Sequence, residues 1–111
     1  VDKKNLNAVL STLNEDAIIN IVTDRLVHKG RNTEVSNMLK GYFDSYPKLW
    51  HGNFRSIIDE ANQSIVLKFD WEIEGLDNNK DSGSNVNVFI FKEKKISEIT
   101  IYMSTKDNPL K

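Results

Sequence analysis

The 111-residue chain has no cysteine, two prolines, five glycines and two histidines, and no apolar run near the roughly 20 residues that span a bilayer. The missing thiols exclude a disulfide framework, a thiolate zinc site and a cysteine nucleophile, and they suit a reducing compartment. A cytoplasmic location is the expectation. Fifteen Lys+Arg against sixteen Asp+Glu leave a net charge of −1, so no molecular field draws the chain to nucleic acid or to an anionic membrane. Neither is expected as a partner. The start "VDKKNLNAVLSTL" holds no signal-peptide apolar block, although it begins at Val1 and leaves a removed leader open. No zinc-binding histidine spacing, P-loop, nucleophile elbow or dinucleotide-binding glycine pattern occurs, and no metal or cofactor is expected.

What is present fits one domain over residues 1–111, long enough to bury a single core. Leu6, Val9, Leu10 and Leu13 follow the spacing of one helical face. In "LNEDAIINIVTD" Asn14 is a candidate N-cap, and Ala17, Ile18, Ile21 and Val22 predict a second short helix. "RLVHKG" is a brief strand closed by Gly30. A third helix over "EVSNMLKGYFDSY" buries Val35, Met38, Leu39, Tyr42 and Phe43, and ends at Pro47.

From Leu49 the period becomes two. "LWHGNFRSII" places Trp50, Gly52, Phe54, Ser56 and Ile58 on one face, with His51, Asn53 and Arg55 on the other. "SIVLKFDWEIEG" sets Ile65, Leu67, Phe69, Trp71 and Ile73 against a wet face of Lys68, Asp70, Glu72 and Glu74. "LDNNKDSGS" is a polar hairpin loop, "NVNVFIF" a strand apolar on both sides, "KEKK" a charged tight turn and "ISEITIYMS" a last strand. The tail "TKDNPLK" is expected to fray.

This order is α+β: about three N-terminal helices packed on a curved, mostly antiparallel sheet. It resembles the NTF2-like superfamily cone, in its SnoaL-like and ketosteroid-isomerase-like branch. Three stretches carry the resemblance: "LNEDAIINIVTDRLVHKG", "NTEVSNMLKGYFDSYPKLWHGNF" with its aromatic-Pro-x-Leu break, and "VNVFIFKEKKISEITIY", similar to the terminal hairpin. These are fold patterns rather than chemical fingerprints. The resemblance implies a ligand held in the mouth of the cone, between the concave sheet face and the helices.

In the isomerase branch a carboxylate base ends the first short strand, and a Tyr with a late-strand carboxyl forms the oxyanion hole. Here the base position falls near His28, Lys29 or Gly30, the first helix has no Tyr, and the late-strand position corresponds to Asn87. Familiar steroid-isomerase chemistry is therefore not expected. His28, sharing a face with Leu26, is the candidate general base; a strand-end histidine bonded to a loop is the plainer reading. Trp50, Phe54, Phe69, Trp71, Asn87 and Tyr102 are the candidate ligand-binding residues, although each aromatic also reads as core and Asn87 as an internally bonded amide. His51 is sent to the far face by alternation.

Two functions stay open. One is a SnoaL-like protein binding a small apolar ligand, with a general acid–base isomerase, cyclase, dehydratase or hydrolase activity. The other is a non-catalytic interaction or dimerisation module. In "NVNVFIF", Val86, Val88 and Ile90 oppose Phe89 and Phe91, which predicts a homodimer through the outer sheet face.

Overall fold

In the computed structural model, which describes residues 5–104, Asn5 opens helix α1 (Leu6–Ser11) by accepting a hydrogen bond from the Ala8 amide at 3.1 Å. A six-residue helix is unstable alone in water, so α1 depends on Leu6, Val9 and Leu10 packing against the core. Leu13, the expected fourth member of that stripe, lies beyond the helix at the start of a strand and is fully buried.

The second expected helix is a strand. β1 spans Leu13–Ile21 and ends in a 3-10 turn over Val22–Asp24, so among the described residues two α-helices, not three, precede the long strands. The set Ala17, Ile18, Ile21, Val22 satisfies a helical period, but Ala17, Ile19 and Ile21 also alternate. The isoleucines are β-branched and favour the pleat. The final strand, β6 (Lys95–Met103), then pairs with β1 in parallel, a partner that local periodicity does not reveal.

β2 (Leu26–Lys29) returns antiparallel to β1. Gly30, at φ +91°, turns the chain into a π-helical segment, Gly30–Val35, that continues as helix α2 (Ser36–Ser45). Its stripe of Val35, Met38, Leu39, Tyr42 and Phe43 is buried as the sequence predicts. Tyr46 is extended before Pro47, and the helix stops there.

β3 (Lys48–Asp59), β4 (Ser64–Glu74) and β5 (Lys80–Lys92) complete a six-stranded sheet of order β2-β1-β6-β5-β4-β3, antiparallel except between β1 and β6. Glu93 and Lys94, both at positive φ, form the tight β5–β6 turn. Cross-strand partners share a face, so the register assigns every side chain. Val35, Met38 and Leu39 pack with Ala17, Ile19, Ile21 and Ile101, which defines the helix-bearing face. Phe69, Trp71 and Ile73 extend that face toward β3, with Tyr46 and Leu49 against them, and Met103 touches both clusters. Burying each of Leu13, Ile21 and Val35 contributes about 1.5–3 kcal/mol. The expected fraying tail lies outside the described residues, among which no helix is long and apolar enough to cross a membrane.

Candidate binding face

On β2, His28 opposes Ile19 and Leu26 opposes Ile21, and both β1 residues belong to the buried core. His28 therefore points to the helix side, and its Nε2 is buried without a hydrogen-bond partner. On β5, alternation turns Gly83, Asn85, Asn87 and Phe89 to the same face, opposite Trp71, Phe69, Leu67 and Ile65 of β4.

Asn85 and Asn87 differ in one respect. The Trp71 indole N–H donates to Asn85 Oδ1 at 2.9 Å, while Asn87, only 9% exposed between Leu67 and Ile101, has Oδ1 buried and unpartnered. The Trp71 ring reaches Asn85 because Gly83 lies under it; a Cβ there would come within 2.7 Å of the ring. Leaving a buried polar atom unpaired costs about 1–3 kcal/mol, and among the described residues His28 Nε2 and Asn87 Oδ1 are the buried side-chain atoms in that state. Sheet spacing puts them three strands and one pleat apart, roughly 15 Å. They cannot act on the same ligand atom.

The β3 assignments are corrected by a bulge. Lys48 to Gly52 pair with Glu74 to Asp70 and Arg55 to Asp59 with Lys68 to Ser64, so Asn53 and Phe54 together oppose Phe69. Asn53 takes φ +55°, a left-handed conformation that asparagine tolerates. One extra residue inverts the alternation before it. Leu49 and His51 consequently share the face of Ile73 and Trp71, while Trp50 and Gly52 share that of Glu72 and Asp70. Trp50 is thus not on the helix-bearing face; it is 42% exposed on the opposite side, its ring lying across Gly52. Phe54 keeps its expected side, 5.7 Å ring to ring from Phe69, but is largely exposed.

His51 moves the other way. It was expected outside and instead packs 5.5 Å from the Phe69 ring, at a tilt of 54°. The missed signal was the dipeptide Gly52-Asn53 inside an alternating run, a composition that marks bulges. Tyr102 is corrected similarly: it opposes Val86 on the outer face and is 48% exposed, because Ile99, Ile101 and Met103 take the inner positions of β6. Of the seven sequence-predicted site residues, His28, Phe54, Phe69, Trp71 and Asn87 share the helix-bearing face. Trp50 and Tyr102 do not.

An open depression of about 470 Å³ lies at the hairpin tips, floored by Ile58, Ile65 and Phe91 and rimmed by Asp59, Glu60, Glu93 and Lys94. None of the predicted site residues lines it. Among the described residues no group of three His, Asp or Glu side chains is placed to hold a metal ion.

The outer face is polar at its β3–β4 end. Asp70 Oδ1 accepts from the Ser84 hydroxyl at 2.6 Å and Oδ2 from the Asn53 amide at 2.9 Å, tying the bulge to β4 and β5. The Ser84 bond first and the Asn53 bond second hold the Asp70 carboxyl below the ordinary aspartate range. A depressed folded pKa contributes stability that is fully present above the unfolded pKa and is lost as pH falls through the folded one. Asp70→Asn is therefore expected to lower stability at neutral pH and to match the parent in acid, as measured by urea denaturation at both; an equal deficit at both would show that the charge is irrelevant.

No protein-family model matches the sequence. No curated protein matches it. Solved structures do. The chain is similar to a candidate polyketide cyclase from Pseudomonas putida KT2440, at a TM-score of 0.82 and 14% identity, covering 96% of this chain and 84% of that one. It is also similar to a candidate SnoaL-like polyketide cyclase from Shewanella putrefaciens CN-32, at 0.79 and 9% over 92% and 80%. An NTF2-like protein of unknown function from Burkholderia pseudomallei K96243 gives 0.79 and 13% over 92% and 80%. At these identities the likeness establishes the fold, and the fold is NTF2-like, in the form shared by SnoaL-like and ketosteroid-isomerase-like proteins.

Proposed function

We propose that the chain binds a small apolar molecule on the helix-bearing sheet face, over Phe54, Phe69 and Leu67, with Asn87 as its buried polar contact. One observation carries this reading: Asn87 Oδ1 and His28 Nε2 are both buried, both without partners, and both on that face. Asn87 Oδ1 takes a hydrogen-bond donor, such as a ligand hydroxyl or amide N–H. His28, the candidate general base, reaches a different part of the ligand, so a molecule touching both is elongated. Trp71, pinned to Asn85, makes the floor between β4 and β5 rigid. Acid–base chemistry of the isomerase, cyclase, dehydratase or hydrolase kind is the reaction class that this placement of His28 supports.

The test is native mass spectrometry and thermal shift against a panel of hydroxylated aromatic and polycyclic ketones. Asn87→Ala is expected to weaken a bound ligand about tenfold, the equivalent of one hydrogen bond of ~1.4 kcal/mol, and His28→Ala to weaken it or abolish turnover. Trp50→Ala, on the opposite face, leaves binding unchanged. Affinity indifferent to both His28 and Asn87 would sink the assignment. The second reading, a non-catalytic interaction module, draws support from the exposure of Phe54 and Ile58 at the open end of the same face. It predicts that no panel member stabilises the fold.

A further inference from the structure

β3 ends the sheet, with β4 as its strand neighbour, and is twelve residues long. Natural edge strands are kept short or blunted by lysine or proline, because a free row of N–H and C=O groups templates further pairing. The stretch from Phe54 to Asp59 has neither residue. It is exposed on both faces: Ile57 is 71% exposed on the outer side, Ile58 64% and Phe54 57% on the helix-bearing side. Its only charges are Arg55 and Asp59, both on the outer face.

That pattern is self-complementary. When two copies of the strand run antiparallel about a two-fold axis at Ile57, Arg55 of each copy faces Asp59 of the other, Ser56 faces Ile58, and Ile57 meets its own equivalent. Opposite charges directly across a strand pair are favourable and like charges are not. Slipping the register by two residues sets either Arg55 or Asp59 against Ile57. Parallel in-register pairing sets Arg55 against Arg55 and Asp59 against Asp59. The charges therefore select one orientation and one register. Asp59 is already fixed, accepting from the Asn62 amide and side chain at 3.2 and 2.7 Å, and a carboxylate retains lone pairs for an arginine.

We propose that the edge of β3 is a homodimer contact, in which a second copy of this chain continues the sheet through residues 54–59. This contact runs edge to edge, a different surface from the outer face through which the sequence predicts a homodimer. Two helix-bearing faces become one continuous surface, with Ile58 of each copy beside Ser56 of the other at the open end of the candidate binding face. The pairing does not rest on the ligand reading.

Sedimentation equilibrium over a concentration series, with hydrogen exchange, tests it. The parent is expected at twice the chain mass, with amides in 55–59 gaining protection as concentration rises. Arg55→Asp alone should halve the mass, and the double exchange R55D/D59R should restore the dimer. Val86→Lys and Tyr102→Glu, on the outer face, should leave it intact. Should D59R disturb the β3–β4 turn, the concentration-dependent protection of 55–59 in the parent stands as the independent reading. A parent monomeric at every concentration overturns the proposal. A dimer that survives R55D but dissociates with Val86→Lys overturns it in favour of outer-face stacking.

Discussion

Replacing Trp71 by alanine is expected to cost roughly 3–5 kcal/mol, a large part of the roughly 5–15 kcal/mol that holds a domain folded. The ring is 3% exposed, packs with Phe69 and Ile73, and lies over Gly83 where no neighbouring Cβ could fill the space it leaves. The substitution also strands Asn85 Oδ1, an acceptor 5% exposed whose donor is the indole N–H. Trp71→Phe keeps part of the ring volume and removes the hydrogen bond, so it should cost less than the alanine variant, with about 1–3 kcal/mol of its cost from stranding Asn85 Oδ1. Urea denaturation followed by circular dichroism reads both. A Trp71→Ala variant within about 1 kcal/mol of the parent would mean that the site collapses around the void and that the ring is not the rigid floor described above.

Deleting Asn53 should be nearly as severe, at roughly 2–4 kcal/mol, although Asn53 itself is exposed. The residue is the extra member of the bulge. Without it β3 must alternate regularly, and one of its two halves has to turn over. Turning residues 48–52 exposes Leu49, packed against the Phe69 cluster, and forces Trp50 inward toward it. Turning 54–59 sends Phe54 away from Phe69. Either outcome also removes the Asn53 to Asp70 bond. Substitution by glycine keeps the residue count and a left-handed conformation, so Asn53→Gly should cost far less than the deletion. Equal stability of the deletion variant and the parent would show that the strand absorbs the slip elsewhere.

The candidate binding face shows how far reading the chain could go. Trp71 and Phe69 were placed from alternation and Asn87 from the resemblance, and all three face the helices because β4 and β5 are regular and a two-residue period survives intact from one end to the other. His28 was placed by a four-residue strand whose companion Leu26 is apolar. Trp50 and His51 were exchanged by the bulge, a local insertion that reverses everything on one side of it. Tyr102 was misread because an aromatic on a strand was taken for a wall, whereas Ile101 and Met103 already fill the inner side of β6.

By itself the sequence determined the α+β class, the buried stripe of α2, the break at Pro47, and the four long antiparallel-type strands. Each of these is written in local spacing or in the fixed geometry of a proline. Only the tertiary structure decided that Leu13–Ile21 is a strand, because its isoleucines satisfy both periods and the parallel partner that settles the choice lies some 80 residues away, in β6. It likewise decided which of Trp50 and His51 faces the helices. A strand's faces follow from where it pairs, and pairing register is a property of two strands together that neither carries alone.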